Sequence, residues 1–442
     1  MSNGATLSLP GYAGSAQTRN GQLRFFVHGV LFSTLFLQKF GFAFGHSFIL
    51  LALPVCFVLW GWMIASGNVR INSRSLILYS MLVCSVLLDA TIVSLNPEKL
   101  DTFSVPSVTL LIVLYSLFIF EPSEKIDTSI VVDIYLKYTM ALALLGIFQY
   151  TAQFAGFRIS SLGSFIPALQ PLLIENFFNS NAILEYGSAN VRSNAIFLLE
   201  PAGFSQLLVS ALVVEFFVKR RLKFLPLYLA AYITTFSGTG LLSLIVAVVF
   251  SAFFSVRDAM RLPLIALCGA VLVGAVVVAA PGVANKYVQR LGEFNSVQSS
   301  AYFRYIAQER VWSNMIDDGS ILTGNGPGSF ERTYGKDKIA SNAALKLTHD
   351  YGLFPMGICF ALVATTIWLP GARTLSLLYL TTYQLAGAAE LSINFLALTL
   401  ILCVWGVKHS RFGSTGHPRP VRTTRAARAT MVSNASYDEQ AP

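Results

Sequence analysis

Charged residues are scarce in this sequence. Only 12% of its 442 residues are Asp, Glu, Lys or Arg, whereas 54% are hydrophobic. A soluble globular chain carries roughly 25% charged residues. This shortage of charge excludes an intrinsically disordered chain and an ordinary soluble enzyme, because both place far more polar side chains in water.

Cysteine is also scarce, and its placement excludes two further classes of protein. The five cysteines all lie within apolar runs; they are Cys56, Cys84, Cys268, Cys359 and Cys403. No CxxC pair or Cys/His cluster occurs, so the sequence predicts neither a disulfide scaffold nor a metal site. The polar residues 1–22 do not have the pattern of a cleavable signal peptide, because the apolar stretch begins late and further apolar runs follow it.

What the sequence does contain is a series of apolar runs. A membrane helix needs about 20 apolar residues to cross the hydrocarbon core. Hydropathy places spans at 25–43, 46–66, 75–95, 103–120, 129–152, 202–218, 224–236, 239–256, 262–281, 350–369, 374–389 and 391–407. The predicted fold is therefore an all-α polytopic membrane protein with about twelve transmembrane helices.

The short connections between these spans indicate an orientation, since Lys and Arg mark the cytoplasmic side. The basic residues of the N-terminal arm, the short connections and the tail include Arg19, Arg24, Arg70, Arg74, Lys219, Arg220, Arg221, Lys223, Arg257, Arg261, Arg373, Lys408, Arg411, Arg419, Arg422, Arg425 and Arg428. They fall on one face if both termini are cytoplasmic, with Lys99 as the main exception. The net charge of +9 is thus interpreted as an orientation signal and not as a nucleic-acid surface.

Two segments on the predicted outer face are much longer than turns. Loops of this length inside a compact protein are usually functional or disordered, and their many apolar and aromatic residues argue against disorder. The second loop is predicted to be partly helical. The predicted organisation is an N-terminal arm (1–24), spans one to five (25–156), a first outer loop (157–201), spans six to nine (202–283), a large outer loop (284–349), spans ten to twelve (350–407) and a basic tail (408–442).

Positive charge in these two outer loops is an unexpected feature. The loops contain Arg158, Arg192, Lys286, Arg290, Arg304, Arg310, Arg332, Lys336, Lys338 and Lys346. Guanidinium groups bind phosphate oxygens through paired N–H donors and keep their charge at any working pH. The sequence predicts a cationic outer mouth for a phosphorylated or acidic substrate of the outer leaflet. Solvated loop charges are the alternative interpretation.

The segment from Arg192 to Gln206 leads directly into the sixth span. Pro201 suits the first turn of a helix, and Glu200 would lie at the positive end of the helix dipole. That structural role is one explanation for Glu200, and a chemical role is the other. Arg192 has no comparable structural explanation.

Two glycine-rich turns lie on the outer side, at 236–240 and 324–328. Backbone N–H groups in such turns can bind anions, but a tight hairpin is the favoured explanation of the first turn. The second turn lacks the Lys-Ser/Thr of a P-loop, so nucleotide binding is not indicated.

His349 and Asp350 stand at the entry to the tenth span. A histidine beside a carboxylate could act as a general base, since its ordinary pKa lies near neutrality. A helix-start role for Asp350 is the alternative.

Several charges fall inside the predicted spans. Asp133 and Lys137 are four residues apart and are predicted to form an ion pair on one helix face. Lys39, Asp89 and Glu390 have no partner close in sequence. Glu390, at the outer end between the last two spans, could line a cavity.

Several outer motifs occur in one order along the chain: Arg192 to Gln206, Ser237 to Gly240, Arg304 to Trp312, Leu322 to Phe330 and Asp350 to Leu353. Their order, spacing and side of the membrane resemble the O-antigen polymerase and ligase superfamily, and especially the Wzy-type polymerases of bacterial exopolysaccharides. The resemblance covers roughly residues 190–360. The first five spans match only in being hydrophobic.

The resemblance implies a multi-pass protein of the bacterial inner membrane with a large periplasmic loop. It implies a metal-independent glycosyltransferase without a cofactor, which transfers a growing glycan from undecaprenyl diphosphate onto a lipid-linked repeat unit. The expected partners are this lipid-linked oligosaccharide, membrane lipids, and the chain-length regulator and flippase of the same export pathway. Nucleic acid has no expected role.

The resemblance also implies roles for individual residues. Arg192 corresponds to the arginine that precedes the Glu-Pro segment in the family. Arg290 and Arg304 are the large-loop arginines expected to bind the diphosphate. Glu200, His349 or Asp350 would serve as the acceptor base, and the sequence does not choose among them.

One departure from the family pattern separates the alternatives. Many members, ligases in particular, carry a His-Asn pair eleven residues before the glycine aligned with Gly352, where this chain has Ser341 and Asn342. The missing histidine weakens an O-antigen-type ligase relative to a polymerase. The alternative from another class is a multi-span transporter or lipid-linked oligosaccharide flippase, which should show broken helices at mid-membrane.

Overall fold

The computed structural model describes residues 16–44, 47–159, 162–174, 190–254, 302–335, 339–387 and 389–409. Most of these residues are helical, as the all-α prediction requires. The helices are α1 (Ala16–Phe36), α2 (Ala52–Ala65), α3 (Ser73–Ser94), α4 (Val105–Ser116), α5 (Ser129–Ala152), α6 (Leu162–Phe165), α7 (Pro201–Val213), α8 (Leu225–Thr235), α9 (Thr239–Phe254), α10 (Gln308–Asp317), α11 (Ser329–Tyr334), α12 (Ala343–Tyr351), α13 (Leu353–Ile367), α14 (Arg373–Leu385) and α15 (Ile393–Thr399). The predicted span at 262–281 and the tail from 410 onward lie outside the described residues.

Local sequence signals set the starts of several helices. Asn72 and Ser104 cap α3 and α4, because their side-chain oxygens accept hydrogen bonds from N–H groups of the first turn. Asn342 and Ser392 do the same for α12 and α15. Proline stands in the first turn of α7, where its missing N–H costs nothing.

Three helices are long and apolar enough to cross a membrane: Ser73–Ser94, Ser129–Ala155 and Pro201–Lys219. Six shorter apolar helices are Ala52–Ala65, Val105–Ile119, Leu225–Thr235, Thr239–Phe254, Leu353–Ile367 and Ile393–Lys408. All nine overlap predicted spans. The full count of about twelve spans stays a prediction.

Two short antiparallel strand pairs interrupt the helices. β1 (Gly41–Phe44) pairs with β2 (Ser47–Leu50), and β3 (Val69–Ile71) pairs with β4 (Phe120–Pro122). The first pair lies where the sequence predicted the end of one span and the start of the next. Its aromatic run is as apolar as a helix, so hydropathy cannot separate the two conformations.

The helices share one apolar core, and the large outer loop has a small core of its own. Near one end of the bundle Phe26 packs against Trp60 and Trp405, with ring centroids 4.9 and 4.6 Å apart. The second core comprises Val311, Met315, Phe330, Tyr334, Ile339 and Leu345. The outer loop therefore has a packed part that can hold side chains in fixed positions.

Polar contacts gather at the two ends of the bundle. At the Glu121 end, Lys408 donates a hydrogen bond to Glu121 at 2.8 Å. At the Asp350 end, Lys99 Nζ donates to the Gly324 carbonyl at 2.9 Å. The Glu121 end is thus the end with Glu121 and Lys408, and the Asp350 end is the end with Lys99, Gly324 and Asp350.

The predicted pair of Asp133 and Lys137 is wrong. Asp133 lies 2.8 Å from Lys219, which belongs to the end of the segment that continues α7. The pair therefore joins two helices instead of stabilising one. Spacing along a single helix could not reveal this partner, because it lies far away in sequence.

Candidate active site

The segment 190–200 forms the first candidate group, and a buried glutamine of α5 holds it. The Gln149 side-chain carbonyl accepts hydrogen bonds from Ser193 Oγ at 3.1 Å and from the backbone N–H of Asn194 at 3.0 Å. The Gln149 amide donates to Asn194 Oδ1 at 3.0 Å. Because both ends of this side chain are used, the segment is fixed against the helix.

The backbone of this segment is strained. Ala195 and Ile196 have φ values of 53° and 67°, in the left-handed region that non-glycine residues rarely adopt. Each such residue costs on the order of 1–3 kcal/mol and persists only where its surroundings impose it. Lys39 Nζ donates to the Ile196 carbonyl at 2.6 Å, and Gln38 Oε1 accepts from the Leu199 N–H at 3.2 Å. Strain held in this way is typical of functional segments.

Arg192 and Glu200 lie at the two ends of the strained segment. Arg192 is partly buried, whereas Glu200 is exposed and occupies the position just before α7. The Glu200 side chain accepts no capping hydrogen bond from the helix. Glu200 nevertheless lies at the positive end of the α7 dipole, so the structural and the chemical explanation of this residue both stay predictions.

The glycine-rich turn at 236–240 packs against the first turn of α7. The Gly240 N–H donates to Ser205 Oγ at 3.2 Å, and a Cβ at Gly240 would lie 2.7 Å from the Ser205 carbonyl oxygen. The Ser193 N–H donates to the carbonyl of Thr234 at 3.0 Å. These contacts favour the hairpin explanation of the turn, which supports the segment 190–200 from one side.

Asp350 is the centre of the second candidate group. Its Oδ1 accepts hydrogen bonds from the Phe330 N–H at 2.9 Å and from Ser329 Oγ at 3.2 Å. Its Oδ2 accepts from Lys346 Nζ at 2.9 Å and from the Gly328 N–H at 3.2 Å. Burial would raise the pKa of Asp350, but the charge of Lys346 and these hydrogen bonds lower it to about 2. The carboxylate is therefore ionised, and each of its two oxygens accepts two hydrogen bonds.

The second glycine-rich turn wraps around this carboxylate. The N–H groups of Asn325 and Gly326 donate to the carbonyls of His349 and Asp350, at 2.7 and 3.2 Å. The donors that could hold a phosphate in such a turn are thus bonded within the chain. Gly352 allows the backbone after Asp350 to pass close to the loop at Leu322. Its φ is 84°, and a Cβ at this position would lie 2.2 Å from the Leu322 carbonyl oxygen.

His349 is buried beside Asp350 among aromatic rings. Its Nδ1 lies 3.0 Å from Ser329 Oγ, and its ring meets the Phe330 and Tyr334 rings edge-on with centroids 5.5 Å apart. Because Ser329 donates its hydroxyl hydrogen to Asp350, the network places the histidine proton on Nδ1. His349 and Asp350 are therefore brought together through Ser329.

Lys346 completes the second group, and sequence reasoning counted it only among the loop charges. It is buried, and its Nζ contacts both Asp350 and Glu331, the latter at 2.6 Å. Burial would lower the pKa of Lys346, but the two carboxylates raise it above its ordinary value. The four-residue spacing to Asp350 on α12 was the available signal for this pair.

Several buried polar atoms near this group have no hydrogen-bond partner among the described residues. They belong to Asp89, Thr348, Tyr351, Glu390 and Asn394. Buried polar groups of native proteins are nearly always paired, so each exception calls for an explanation. Other unpaired buried atoms belong to Trp60, Thr128, Trp405 and His409, but the two carboxyl groups with unpaired oxygens, Asp89 and Glu390, are both near Asp350. Unpaired carboxyl groups are typical of a place where water or a ligand binds.

The structure describes one of the two predicted large-loop arginines. Arg290 lies outside the described residues, and Arg304 lies in the helical turn Tyr302–Ile306. The structure thus brings together His349 with Asp350, and places Arg192 and Glu200 on one held segment.

The family model of the WcaD colanic acid polymerase matches residues 29–405 of this chain. The chain belongs to the WcaD colanic acid polymerase family. None of the curated proteins and none of the solved structures that were searched matches it.

Membership in the WcaD family identifies the general activity. The protein is a polysaccharide polymerase of exopolysaccharide biosynthesis, and hence a glycosyltransferase-type enzyme that acts on a lipid-linked oligosaccharide. Its apolar helices and its family make it a membrane protein. The predicted resemblance to Wzy-type polymerases is confirmed.

Asn342 is the part of the His-Asn pair that this WcaD family member has, and it has a structural role. Its Oδ1 accepts a hydrogen bond from the Leu345 N–H at 2.8 Å and caps α12, and its Nδ2 donates to Gln308 Oε1 at 2.6 Å. The asparagine thus positions the helix that carries His349 and Asp350, without a histidine before it.

Proposed function

We propose that this polymerase transfers the growing glycan from undecaprenyl diphosphate onto a lipid-linked repeat unit, at the periplasmic face of the bacterial inner membrane and without a metal ion. The observation that carries the proposal is the strained segment 190–200, which holds the partly buried Arg192 and leads into the apolar helix α7. An arginine placed in this way can bind a lipid-borne diphosphate close to the membrane surface.

Arg192 is proposed to bind the departing diphosphate together with Arg290 and Arg304. The acceptor hydroxyl attacks the anomeric carbon while the bond from that carbon to the diphosphate breaks. Negative charge then develops on the diphosphate, and fixed guanidinium groups stabilise it without a covalent intermediate. The energy comes from breaking the bond between the anomeric carbon and the diphosphate oxygen, so no nucleotide is needed.

The three proposed catalytic residues are assigned different tasks. Glu200 is exposed at the start of α7 and is proposed to hydrogen-bond the acceptor sugar. His349 and Asp350 are proposed to act by position, because their contacts hold the turn at 324–328. Orientation of the acceptor hydroxyl against the anomeric carbon can lower the activation barrier by several kcal/mol.

The proposed topology places the Glu121 end in the cytoplasm, together with both termini. It is supported by Arg70 and Lys408, two basic residues predicted to be cytoplasmic from separate parts of the chain, which both contact Glu121. The Asp350 end would then face the periplasm, where the chain-length regulator and flippase of the pathway are proposed partners.

The test uses purified protein in lipid vesicles with an undecaprenyl-diphosphate-linked repeat unit, a metal chelator and no nucleotide sugar. We expect a ladder of glycan multiples from wild-type protein and at least about a 100-fold loss with Arg192→Ala, since one fixed donor contributes on this scale. Arg74→Ala is the matched control, because Arg74 is an exposed arginine near the Glu121 end. No ladder from folded wild-type protein with its native repeat unit would refute the proposed donor.

A further inference from the structure

Glu390 is the most unusual carboxyl group that the structure describes. It lies in the helical turn Ala389–Leu391 between α14 and α15, and its side chain has no exposure to solvent. Neither carboxyl oxygen has a hydrogen-bond partner on another described residue, and the backbone N–H of Glu390 itself interacts with the carboxyl group. A buried carboxylate without partners is costly, so its retention needs a reason other than stability.

The neighbours of Glu390 do not satisfy it. Lys346 lies within electrostatic range, but its Nζ is already bonded to Asp350 and Glu331. Cys359 and Tyr383 are also within this range, and they contact each other at 3.4 Å. The Tyr383 hydroxyl contacts the Tyr115 hydroxyl at 2.5 Å as well. Lys346, Cys359 and Tyr383 thus have other partners, and none of them donates a hydrogen bond to Glu390.

Glu390 differs in this respect from the two nearby candidates for an acceptor base. Asp350 accepts four hydrogen bonds and has a pKa of about 2, so it holds no proton near neutral pH. Both ring nitrogens of His349 have a side-chain neighbour, because Nδ1 lies 3.0 Å from Ser329 Oγ and Nε2 lies 3.5 Å from Asn325 Nδ2. A general base needs a lone pair that no other group occupies and a pKa near the working pH.

We propose that Glu390 accepts the proton of the acceptor hydroxyl during glycosyl transfer, directly or through one bound water. This inference rests on the proposed transfer from a lipid diphosphate. The acceptor oxygen forms a bond to the anomeric carbon, and the bonding pair of the broken carbon–oxygen bond leaves with the diphosphate. The acceptor proton passes to the Glu390 carboxylate, which later releases it to water.

The charge environment supports this role. Burial raises the pKa of Glu390 to about 7, although the positive charge of Lys346 acts in the opposite direction. The titratable groups on the described elements around it are Lys346, Asp350, Glu331, Cys359, Tyr383 and Tyr115. Near neutral pH the carboxyl can therefore both accept and release a proton. Turnover should rise as the pH rises through about 7.

The first experiment measures turnover of the lipid-linked repeat unit as a function of pH. We expect Glu390→Gln to lower turnover by about 100- to 10,000-fold, the usual contribution of a general base. The thermal midpoint of this variant should stay the same or rise, because a neutral amide of similar shape replaces a buried titratable carboxyl group. Glu390→Asp should restore part of the rate. Glu124→Gln, an exposed carboxylate near the Glu121 end, should leave the rate unchanged.

The second readout does not depend on turnover. Infrared difference spectra between about pH 5 and about pH 9, on either side of neutral, should show a protonated carboxyl band that disappears with increasing pH. Glu390→Gln should remove the band, and Glu390→Asp should shift both the band and the pH profile of the rate.

The outcomes separate the inference from the proposed function. If wild-type protein makes no ladder, the proposed donor fails whatever Glu390 does. If wild-type protein is active and Glu390→Gln keeps both its rate and its pH profile, the role of Glu390 is overturned. If the glutamine variant does not fold, an unchanged infrared band and pH profile in Glu390→Asp would overturn it as well.

Discussion

Each end of the bundle contains a buried carboxylate that binds a lysine and contacts a histidine. At one end Glu121 lies 2.8 Å from Lys408 Nζ and 3.5 Å from His409 Nε2. At the other end Asp350 lies 2.9 Å from Lys346 Nζ, and His349 is next to it in sequence. The chemistry of the two groups is thus similar, and their difference lies in where the partners come from.

Glu121 joins distant parts of the chain. Its partners Arg70, Asn72 and Lys408 belong to three separate connections. Burial alone would raise the pKa of Glu121, but its contacts with His409, Lys408 and Asn72 lower it below the ordinary value. The group fastens the helix ends to one another.

Asp350 instead holds a local turn, since its partners all lie between 328 and 350. Beside it are buried polar atoms without partners in the described chain, above all those of Glu390. Thr128, Trp405 and His409 at the other end also have unpaired buried atoms, but the unpaired carboxyl oxygens of the described residues, those of Asp89 and Glu390, lie at the Asp350 end. Unpaired buried carboxyl groups beside a satisfied network are typical of a functional site. The comparison indicates that the Glu121 end provides stability and the Asp350 end provides chemistry.

Substitution of Asp350 or Glu121 with alanine should give the largest change in stability, and the two variants should differ most clearly in turnover. Asp350→Ala leaves the Lys346 charge buried, so it should cost about 3–5 kcal/mol of unfolding free energy and abolish the glycan ladder. Glu121→Ala should cost less, about 1–3 kcal/mol, because the Arg70 and Lys408 side chains are 35% and 25% exposed and reach water. Thermal unfolding and turnover per folded molecule check both. Loss of turnover in folded Glu121→Ala protein would break the comparison.

A pair of glycine substitutions tests the local turn at a smaller scale. Gly352→Ala should cost at least about 1–3 kcal/mol, because it forces a Cβ into left-handed backbone. That Cβ would also lie 2.2 Å from the Leu322 carbonyl oxygen. Gly357→Ala is the control in the helix that follows, where a Cβ meets nothing within 4 Å. The control should be neutral or stabilising by roughly 0.5–1 kcal/mol.

Limited proteolysis of the large outer loop, together with turnover, measures the effect of both glycine variants. Gly352→Ala should expose the turn at 324–328 and lower turnover. Equal protection of the two variants would show that Asp350 does not depend on this backbone conformation.

Sequence alone could predict part of this arrangement. The apolar runs located the helices, and His349 with Asp350 was found as a candidate pair. The hydrogen bonds from Gly328 and Phe330 to the Asp350 carboxylate could not be predicted from the sequence. These residues lie about twenty positions before Asp350, and no periodic pattern connects them to it. The hairpin at 41–50 was missed because its residues are as apolar as a span. The sequence also identifies Glu390, together with Lys39 and Asp89, as a charged residue without a partner close in sequence.

The smallest expected effect comes from two matching helix caps, one at each end. Asn72 caps α3 and donates to Glu121 Oε1 at 2.7 Å, whereas Asn342 caps α12 and donates to Gln308 Oε1 at 2.6 Å. Loss of either cap by substitution with alanine should cost about 1 kcal/mol, so the two thermal midpoints should fall by similar amounts.

Turnover should distinguish the two caps even though stability does not. Asn342→Ala loosens the start of the helix that carries Lys346, His349 and Asp350, so the rate per folded molecule should fall several-fold. Asn72→Ala acts at the other end and should leave that rate unchanged. Asn342→Asp keeps an oxygen that can accept the Leu345 N–H and should restore the rate. If both alanine variants lower the rate equally, the two ends of the bundle are coupled, and the division between stability and chemistry would have to be abandoned.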